Sequence, residues 1–128
     1  MTTPLWCLLI GIAIPYVLAG VGGYFRGREP GGFDNRNPRE QAKGLAGAGA
    51  RAYAAQQNAW EALAVFTAAV LTAHALGADP AMSANLAIAW VAFRVAHAVC
   101  YLADWATVRS LTFVGALAAA VWLFVLGA

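Results

Sequence analysis

Ionisable and amide side chains recur at helical spacing in one stretch of this otherwise apolar chain. Arg51, Asn58 and Glu61 are separated by seven and three residues. At 100° per residue they fall within about 80° of arc, so they share one face of a helix. A guanidinium group binds carboxylates, and a carboxylate binds an ammonium group. The set is therefore suited to a small polar ligand that carries several charges.

A second stretch repeats this pattern. One helix face would carry four residues at spacings of three, four and three: Arg94, His97, Tyr101 and Asp104. An ionisable group inside a membrane costs roughly 2.5–3.5 kcal/mol even on a lenient insertion scale, so each such group needs a reason to be there. We expect the two polar faces to meet across a helix bundle or a subunit interface. Arg109 opens the next helix at the same level, which predicts a cavity near one face of the membrane.

The same residues allow other interpretations. Glu61 and Arg94 either bind a ligand together or neutralise each other and tie two helices. His97 is either a base or a hydrogen-bonded packing residue. Asp104 and Arg109 lie close enough to the predicted membrane interface to be solvated instead, with the arginine extending towards water.

The composition indicates a protein dissolved in lipid. The 128 residues are 62% hydrophobic and 11% charged, and the mean hydropathy is +0.65. A soluble domain usually carries about 25% charged residues, so too little polar surface is present to enclose a water-soluble core. The chain is expected to be an all-α integral membrane protein.

The composition also argues against two classes of site. Basic residues cluster between residues 26 and 51, but Glu29, Asp34 and Glu40 lie among them, and no nucleic-acid-reading motif is present. We therefore expect no nucleic-acid partner. Cys7 and Cys100 lie in separate apolar segments, and no zinc-ligand spacing is present, so no metal is expected.

Four apolar or amphipathic stretches, separated by Gly- and Pro-containing segments, organise the chain as a single domain over residues 1–128. The predicted helices cover about 4–25, 48–76, 82–104 and 107–126. Connections this short predict a four-helix bundle in which the helices run up, down, up and down. Small residues four apart, such as Gly115 and Ala119, favour close helix packing in lipid and make self-association plausible.

The distribution of basic residues predicts the orientation. The segment 26–47 holds five Lys and Arg residues, the second connection holds none, and Arg109 follows the third. By the positive-inside rule, the segment 26–47 is cytoplasmic and both termini lie on the opposite side of the membrane.

With these residues in place, the chain resembles the MAPEG family, the membrane-associated proteins of eicosanoid and glutathione metabolism. Residues 51–66, RAYAAQQNAWEALAVF, contain the Gln56-x-Asn58-x-x-Glu61 core followed by Phe66 that is similar to the family's helix-two signature. Arg94 and Tyr101, seven residues apart, match the second signature, with Arg109 after them. Residues 33–39, FDNRNPR, look like a loop of bacterial members. The resemblance spans essentially the whole chain.

The resemblance implies a homotrimer of four-helix subunits that holds glutathione between neighbouring subunits near the cytoplasmic face. The residues that would bind glutathione are Arg51, Asn58, Glu61, Arg94 and Tyr101. Glu61 would bind the γ-glutamyl ammonium group, and Arg109 would be the catalytic residue that stabilises the thiolate. Further candidates are Arg26, Arg28, Gln56 and His97. A bacterial member would lie in the inner membrane.

One position departs from the family's pattern. Glutathione-using members commonly carry an arginine four residues before the asparagine, where this chain has Ala54. Either Arg51, one turn earlier on almost the same face, replaces that arginine, or the site binds a different ligand.

Two functions of different classes follow. The first is a glutathione-dependent transferase or peroxidase that takes a lipophilic electrophile or a lipid hydroperoxide from the bilayer. The second is a non-catalytic membrane scaffold or accessory subunit that keeps the polar faces for helix association. A channel is disfavoured because the polar faces end well short of the far side of the membrane.

Overall fold

The computed structural model describes residues 1–127 and shows an all-α protein. Its helices are α1 (Thr3–Gly27), α2 (Pro38–Lys43), α3 (Gly47–Ala75), α4 (Pro80–Leu102) and α5 (Ala106–Gly127). The ends of the four long helices lie within two residues of the positions predicted from the sequence. Proline occupies the first turn of α1, α2 and α4, where its missing N–H leaves no intrahelical bond unmade.

The long helices alternate in direction. The start of α3 lies beside the end of α1, where a Cβ on Gly49 would be 3.1 Å from Cβ of Phe25. The end of α5 lies against the end of α3, where a Cβ on Gly127 would be 2.7 Å from Cα of Ala73. We call the end of the bundle that carries residues 26–47 the loop end, and the end that carries the α3–α4 connection the turn end.

Three of the long helices are long and apolar enough to cross a membrane, namely α1, α4 and α5. The sequence predicted four crossing helices, but α3 does not meet the same criterion over its described length. Its first half carries Arg51, Gln56, Gln57, Asn58 and Glu61, which lower its mean hydropathy. At about 1.5 Å per residue its 29 residues extend over about 44 Å, and it contacts each of the other helices. It therefore adds polar groups to a bundle whose other long helices are apolar enough to cross a membrane.

The segment between α1 and α3 is rich in Gly and Pro, yet part of it is helical. It contains α2, which begins at Pro38 after the N-cap residue Asn37. The side chain of Gln41 fastens this helix to the rest of the segment. Its Nε2 donates to the carbonyl oxygen of Gly32 at 2.7 Å, and its Oε1 accepts from the backbone N–H of Asp34 at 3.0 Å.

Small and aromatic residues fill the core between the long helices. The rings of Phe66 on α3 and Trp90 on α4 are stacked, with centroids 3.8 Å apart and planes 5° from parallel. Gly115 on α5 lets the helices approach, since a Cβ there would lie 2.7 Å from the ring of Phe93. This closely packed layer lies next to the polar residues, which are nearer to the loop end.

Candidate functional site

A buried arginine is the centre of the candidate site. Arg94 on α4 is 2% exposed, and its Nη2 donates a hydrogen bond of 2.9 Å to Oδ1 of Asn58 on α3. Burying a guanidinium group is costly unless it gains hydrogen bonds. At about 1.5 Å per residue, Arg94 lies about 12 Å from Leu102, where α4 ends at the loop end. Asn58 lies about 16 Å from Gly47, where α3 begins at the same end, so the two residues are at similar depth in the bundle.

Asn58 links Arg94 to Glu61. Its Nδ2 lies 3.5 Å from Oε2 of Glu61, one turn further along α3. An amide can accept on one side and donate on the other, so it connects a cation to an anion without direct contact. Within residues 1–127 no ion pair of 4.0 Å or less joins Arg94 to Glu61. Arg94 and Glu61 therefore do not form a direct ion pair within residues 1–127; the side chain of Asn58 lies between them.

The three side chains line one cavity of about 140 Å³ between α3, α4 and α5, which we call the Arg94 cavity. Asn58, Glu61 and Arg94 form its polar end. The other lining residues are apolar or small: Ala62, Val65, Trp90, Phe113, Ala116, Leu117 and Ala120. Within residues 1–127 the Nη1 atom of Arg94 has no hydrogen-bond partner. A buried donor thus remains available to an acceptor that enters this cavity.

Three further predicted residues continue from Arg94 towards the loop end. His97 is buried, and its ring lies edge-on to that of Tyr101 at a centroid distance of 5.3 Å. The guanidinium carbon of Arg109 lies 4.5 Å from the centroid of the Tyr101 ring. These contacts connect α4 to the start of α5, and they place Arg109 near the polar site without making it part of the Arg94 cavity wall.

Arg51 is held at the end of α4. Its Nε donates to the carbonyl oxygen of Leu102 at 3.3 Å, and its Nη1 lies 3.9 Å from Oδ2 of Asp104. The last carbonyl groups of a helix lack intrahelical partners, and a cation there is favourable. The three residues predicted on one helix face therefore have different contacts. Asn58 and Glu61 line the Arg94 cavity, whereas Arg51 contacts the end of α4 and the α4–α5 connection.

A second cavity, of about 330 Å³, lies on another side of α3, against α1 and α2, and we call it the Arg26 cavity. Arg26 and Gln56, two of the additional candidates, are among its lining residues. Arg26 is oriented by a 3.1 Å hydrogen bond from Nη1 to the carbonyl oxygen of Pro38 and by the ring of Phe33, 4.4 Å from its guanidinium carbon. Arg28 lines neither cavity; it is exposed and hydrogen-bonds the hydroxyl group of Tyr24.

Several lining residues were not singled out from the sequence. Phe113, Ala116, Leu117 and Ala120 of α5 line the Arg94 cavity, and Arg39, Tyr53, Gln57 and Trp60 line the Arg26 cavity. The α5 residues recur at helical spacing, but the lipid-facing residues of that helix do so as well. Periodicity alone therefore could not distinguish a cavity wall from a lipid-facing surface.

The chemistry available in the Arg94 cavity is ionic and hydrogen-bonding. Arg94 offers a free donor for a carboxylate, and Glu61, exposed in the single chain, offers an acceptor for an ammonium group. Within residues 1–127 no three His, Cys, Asp or Glu side chains come together as metal ligands. The arrangement is thus suited to a small zwitterion with an apolar reaction partner beside it.

Comparison with known proteins gives one match. The model of a family described as the MAPEG family matches residues 3–128. Neither the curated proteins nor the solved structures that were compared with this chain give a match.

Proposed function

Because the chain belongs to the MAPEG family, we propose that this integral membrane protein is a glutathione-dependent transferase or peroxidase that acts on lipophilic electrophiles or lipid hydroperoxides. The family includes glutathione transferases and peroxidases and generally uses glutathione. Activity in this chain, and the residues that carry it, belong to the proposal.

The observation that supports the proposal most strongly is the buried guanidinium of Arg94 with its unpaired Nη1. Glutathione carries two carboxylates and one ammonium group. One carboxylate would accept from Arg94, and the γ-glutamyl ammonium would bind Glu61, while Asn58 holds both side chains in place. One carboxylate and the ammonium group would then each meet a protein charge of opposite sign.

The size of the Arg94 cavity supports a site completed by a second subunit. Pockets for small-molecule ligands usually enclose about 300–1,000 Å³, and this cavity is about 140 Å³. In the proposed homotrimer a neighbouring chain would close it. Arg26 and Gln56, which line the Arg26 cavity, would then contact glutathione from the neighbour, and Glu61 would be covered.

Arg109 is the proposed catalytic residue. A free thiol has a pKa of about 8.5, and a nearby guanidinium favours the thiolate. In the transferase reaction the thiolate sulfur forms a bond to an electrophilic carbon, while the bond from that carbon to the leaving group breaks and the leaving group departs with the electron pair. In the peroxidase reaction two glutathione thiols are oxidised to one disulfide, while the hydroperoxide is reduced to an alcohol and water.

The apolar end of the Arg94 cavity would receive the second substrate. Trp90, Phe113 and Leu117 line it without charged groups, and the helices around it border the bilayer. A lipophilic electrophile could enter sideways, while glutathione enters from the loop end. In the proposed orientation the loop end is cytoplasmic, both termini lie opposite, and the membrane is the bacterial inner membrane.

Titration calorimetry of the purified protein in detergent tests this proposal. The parent should bind glutathione saturably, and Glu61→Gln should weaken binding by about tenfold or more, the loss expected for one charge-assisted contact of about 1.5–3 kcal/mol. Glu29→Gln, an exposed carboxylate outside both cavities, is the control and should bind as the parent does. A folded parent that shows no binding would overturn the enzyme assignment and leave the scaffold alternative.

A further inference from the structure

A third cavity, remote from the proposed glutathione site, lies at the turn end of the bundle. We call it the turn-end pocket; its volume is about 480 Å³. It is formed by the start of α1, the end of α3 and the start of α4. Its lining residues include Thr2, Thr3, His74, Ala78, Pro80 and Ser83. None of these residues lines the Arg94 cavity or the Arg26 cavity.

Ser83 provides a buried polar group in this pocket. The residue is 6% exposed, and within residues 1–127 its Oγ has no hydrogen-bond partner. Serine hydroxyl groups inside helices commonly bond the carbonyl oxygen four residues earlier, as Ser110 does with Ala106 at 3.1 Å. Ser83 does not do so. A buried hydroxyl without a partner is unfavourable, and an occupant with a hydrogen-bonding group would satisfy it.

The start of α1 makes one side of the pocket favourable to an anion. The first N–H groups of a helix have no intrahelical partners, and the helix dipole adds partial positive charge there. The N-cap residue Thr2 makes no side-chain capping hydrogen bond within the described chain, and the first turn of α1 contains no acidic residue. Pro4 has no N–H, and the N–H groups of Leu5 and Trp6 donate to the carbonyl oxygen of Thr2 at 3.1 Å, which leaves the N–H of Thr3 as the helix donor for a phosphate oxygen.

The other side of the pocket favours a cation. Asp79 lies between the lining residues Ala78 and Pro80. Its Oδ1 accepts a hydrogen bond from the N–H of Met82 at 2.7 Å, and its other carboxylate oxygen takes no part in that bond. The end of α3 adds partial negative charge from its last carbonyl groups. None of the described lining residues is Lys or Arg. Met1 and His74 are the lining residues that carry basic nitrogen atoms. A zwitterion would match both the donors at the start of α1 and the carboxylate of Asp79, whereas a net anion would place no cation beside that carboxylate.

The bilayer supplies such a zwitterion at this depth. Trp6, on the second turn of α1, is 54% exposed, as is typical of tryptophans at the level of lipid headgroups. From the unpaired Ser83, the uncapped α1 and the acidic α4 cap, we infer that the turn-end pocket binds the headgroup of an ammonium-bearing phospholipid. The phosphate would lie at the start of α1 and Ser83, and the ammonium group would lie towards Asp79.

Native mass spectrometry of the full chain, released from mixed micelles with equal amounts of phosphatidylethanolamine and phosphatidylglycerol, tests this inference. The parent should retain phosphatidylethanolamine preferentially. Ser83→Ala should lower that retention by about 2- to 10-fold, the effect of one lost hydrogen bond. Ser110→Ala removes an exposed serine on α5 outside the pocket and should behave as the parent.

A second variant tests the charge argument. Asp79→Asn keeps a good capping residue for α4 while it removes the carboxylate. It should reduce the preference for phosphatidylethanolamine over phosphatidylglycerol towards unity and leave glutathione binding unchanged. Equal retention of the two lipids by the parent, or equal retention by the Ser83→Ala and Ser110→Ala variants, would overturn the inference. Displacement of the lipid by millimolar inorganic phosphate would also overturn it, because the pocket would then be a site for free phosphate.

Discussion

The Nη2 atom of Arg94 donates a 2.9 Å hydrogen bond to Oδ1 of Asn58, a residue 36 positions earlier in the chain and on a different helix. This contact joins α3 to α4 at the polar end of the Arg94 cavity and leaves the other terminal nitrogen of Arg94 unpaired within residues 1–127. The amide thus orients a buried cation while one of its donors stays without a partner. Five predictions test this contact and other parts of the fold.

Replacing the amide should destabilise the bundle through Arg94. Asn58→Ala leaves the guanidinium without its hydrogen bond and is expected to lower the free energy of unfolding by about 1–3 kcal/mol. Thermal unfolding in detergent measures this loss, with Gln57→Ala, at the neighbouring exposed residue, as the control. With Arg94→Met, which keeps an unbranched apolar stem, the added Asn58→Ala should cost much less. Equal costs in both backgrounds would contradict the coupling.

Removing the guanidinium of Arg109 should impair turnover more than binding. A neighbouring opposite charge lowers the pKa of an acidic group by about 1–3 units, so Arg109→Ala should raise the pKa of bound glutathione thiol. Turnover at neutral pH should fall by about 10- to 100-fold, and its pH profile should move to higher pH. The glutathione dissociation constant should change by less than about threefold.

Stopped-flow absorbance of the thiolate and steady-state kinetics separate these effects. The exposed loop residue Arg36 provides the matched control, as Arg36→Ala removes the same charge away from either cavity. Parent-like turnover in Arg109→Ala would refute the thiolate role.

Arg51 was predicted to bind glutathione, and its contacts with Leu102 and Asp104 suggest a positioning role instead. Arg51→Ala should increase hydrogen–deuterium exchange over residues 99–105, because the end of α4 loses a cap worth about 0.3–1 kcal/mol. Glutathione affinity should then fall by less than about threefold. A loss of tenfold or more with unchanged exchange would instead restore Arg51 as a ligand-binding residue.

Gly115 should tolerate no larger side chain while Phe93 stays in place. A Cβ at this position would lie 2.7 Å from the Phe93 ring, and overpacking of this kind usually costs about 1–3 kcal/mol. Gly115→Ala should therefore lower the unfolding temperature, and the double variant with Phe93→Leu should recover most of the loss. Gly20→Ala, where an added Cβ meets nothing within 4 Å, should not be destabilising. A neutral Gly115→Ala would show that α4 and α5 separate easily.

The segment around α2 should loosen in acid. The backbone N–H groups of Asn37 and Arg36 donate to Asp34 at 3.0 and 2.8 Å and hold the pKa of its carboxyl group below the ordinary value. Since the folded-state pKa is lowered, the stabilisation is present above the ordinary value of about 3.9 and is lost as the pH falls through the lowered pKa. Hydrogen exchange of α2 should therefore accelerate below about pH 4 in the parent. The acceleration should be absent in Asp34→Asn and retained in Asp104→Asn, a control at an exposed carboxylate.

The class of protein, the bounds of the long helices and the main polar residues could be predicted from the amino-acid sequence alone. Apolar runs of about twenty residues fix where helices form in lipid, because every backbone polar group there must bond within its own segment. The spacing of Asn58 and Glu61 likewise placed both on one helix face, and the structure brings them to one cavity with Arg94.

How those faces meet depends on the packing of the helices and could not be predicted from spacing. The spacing that grouped Arg51 with Asn58 is a property of one helix, whereas the Leu102 carbonyl that holds Arg51 lies 51 residues away. Gln56 and Asn58, two residues apart, lie on opposite sides of α3 by helical periodicity, but which helices pack there and form a cavity with each of them depends on the fold. Helical periodicity fixes which residues share a face; the helix that packs against that face, and the lone polar atoms left between helices such as Ser83 Oγ, depend on packing between residues far apart in the chain.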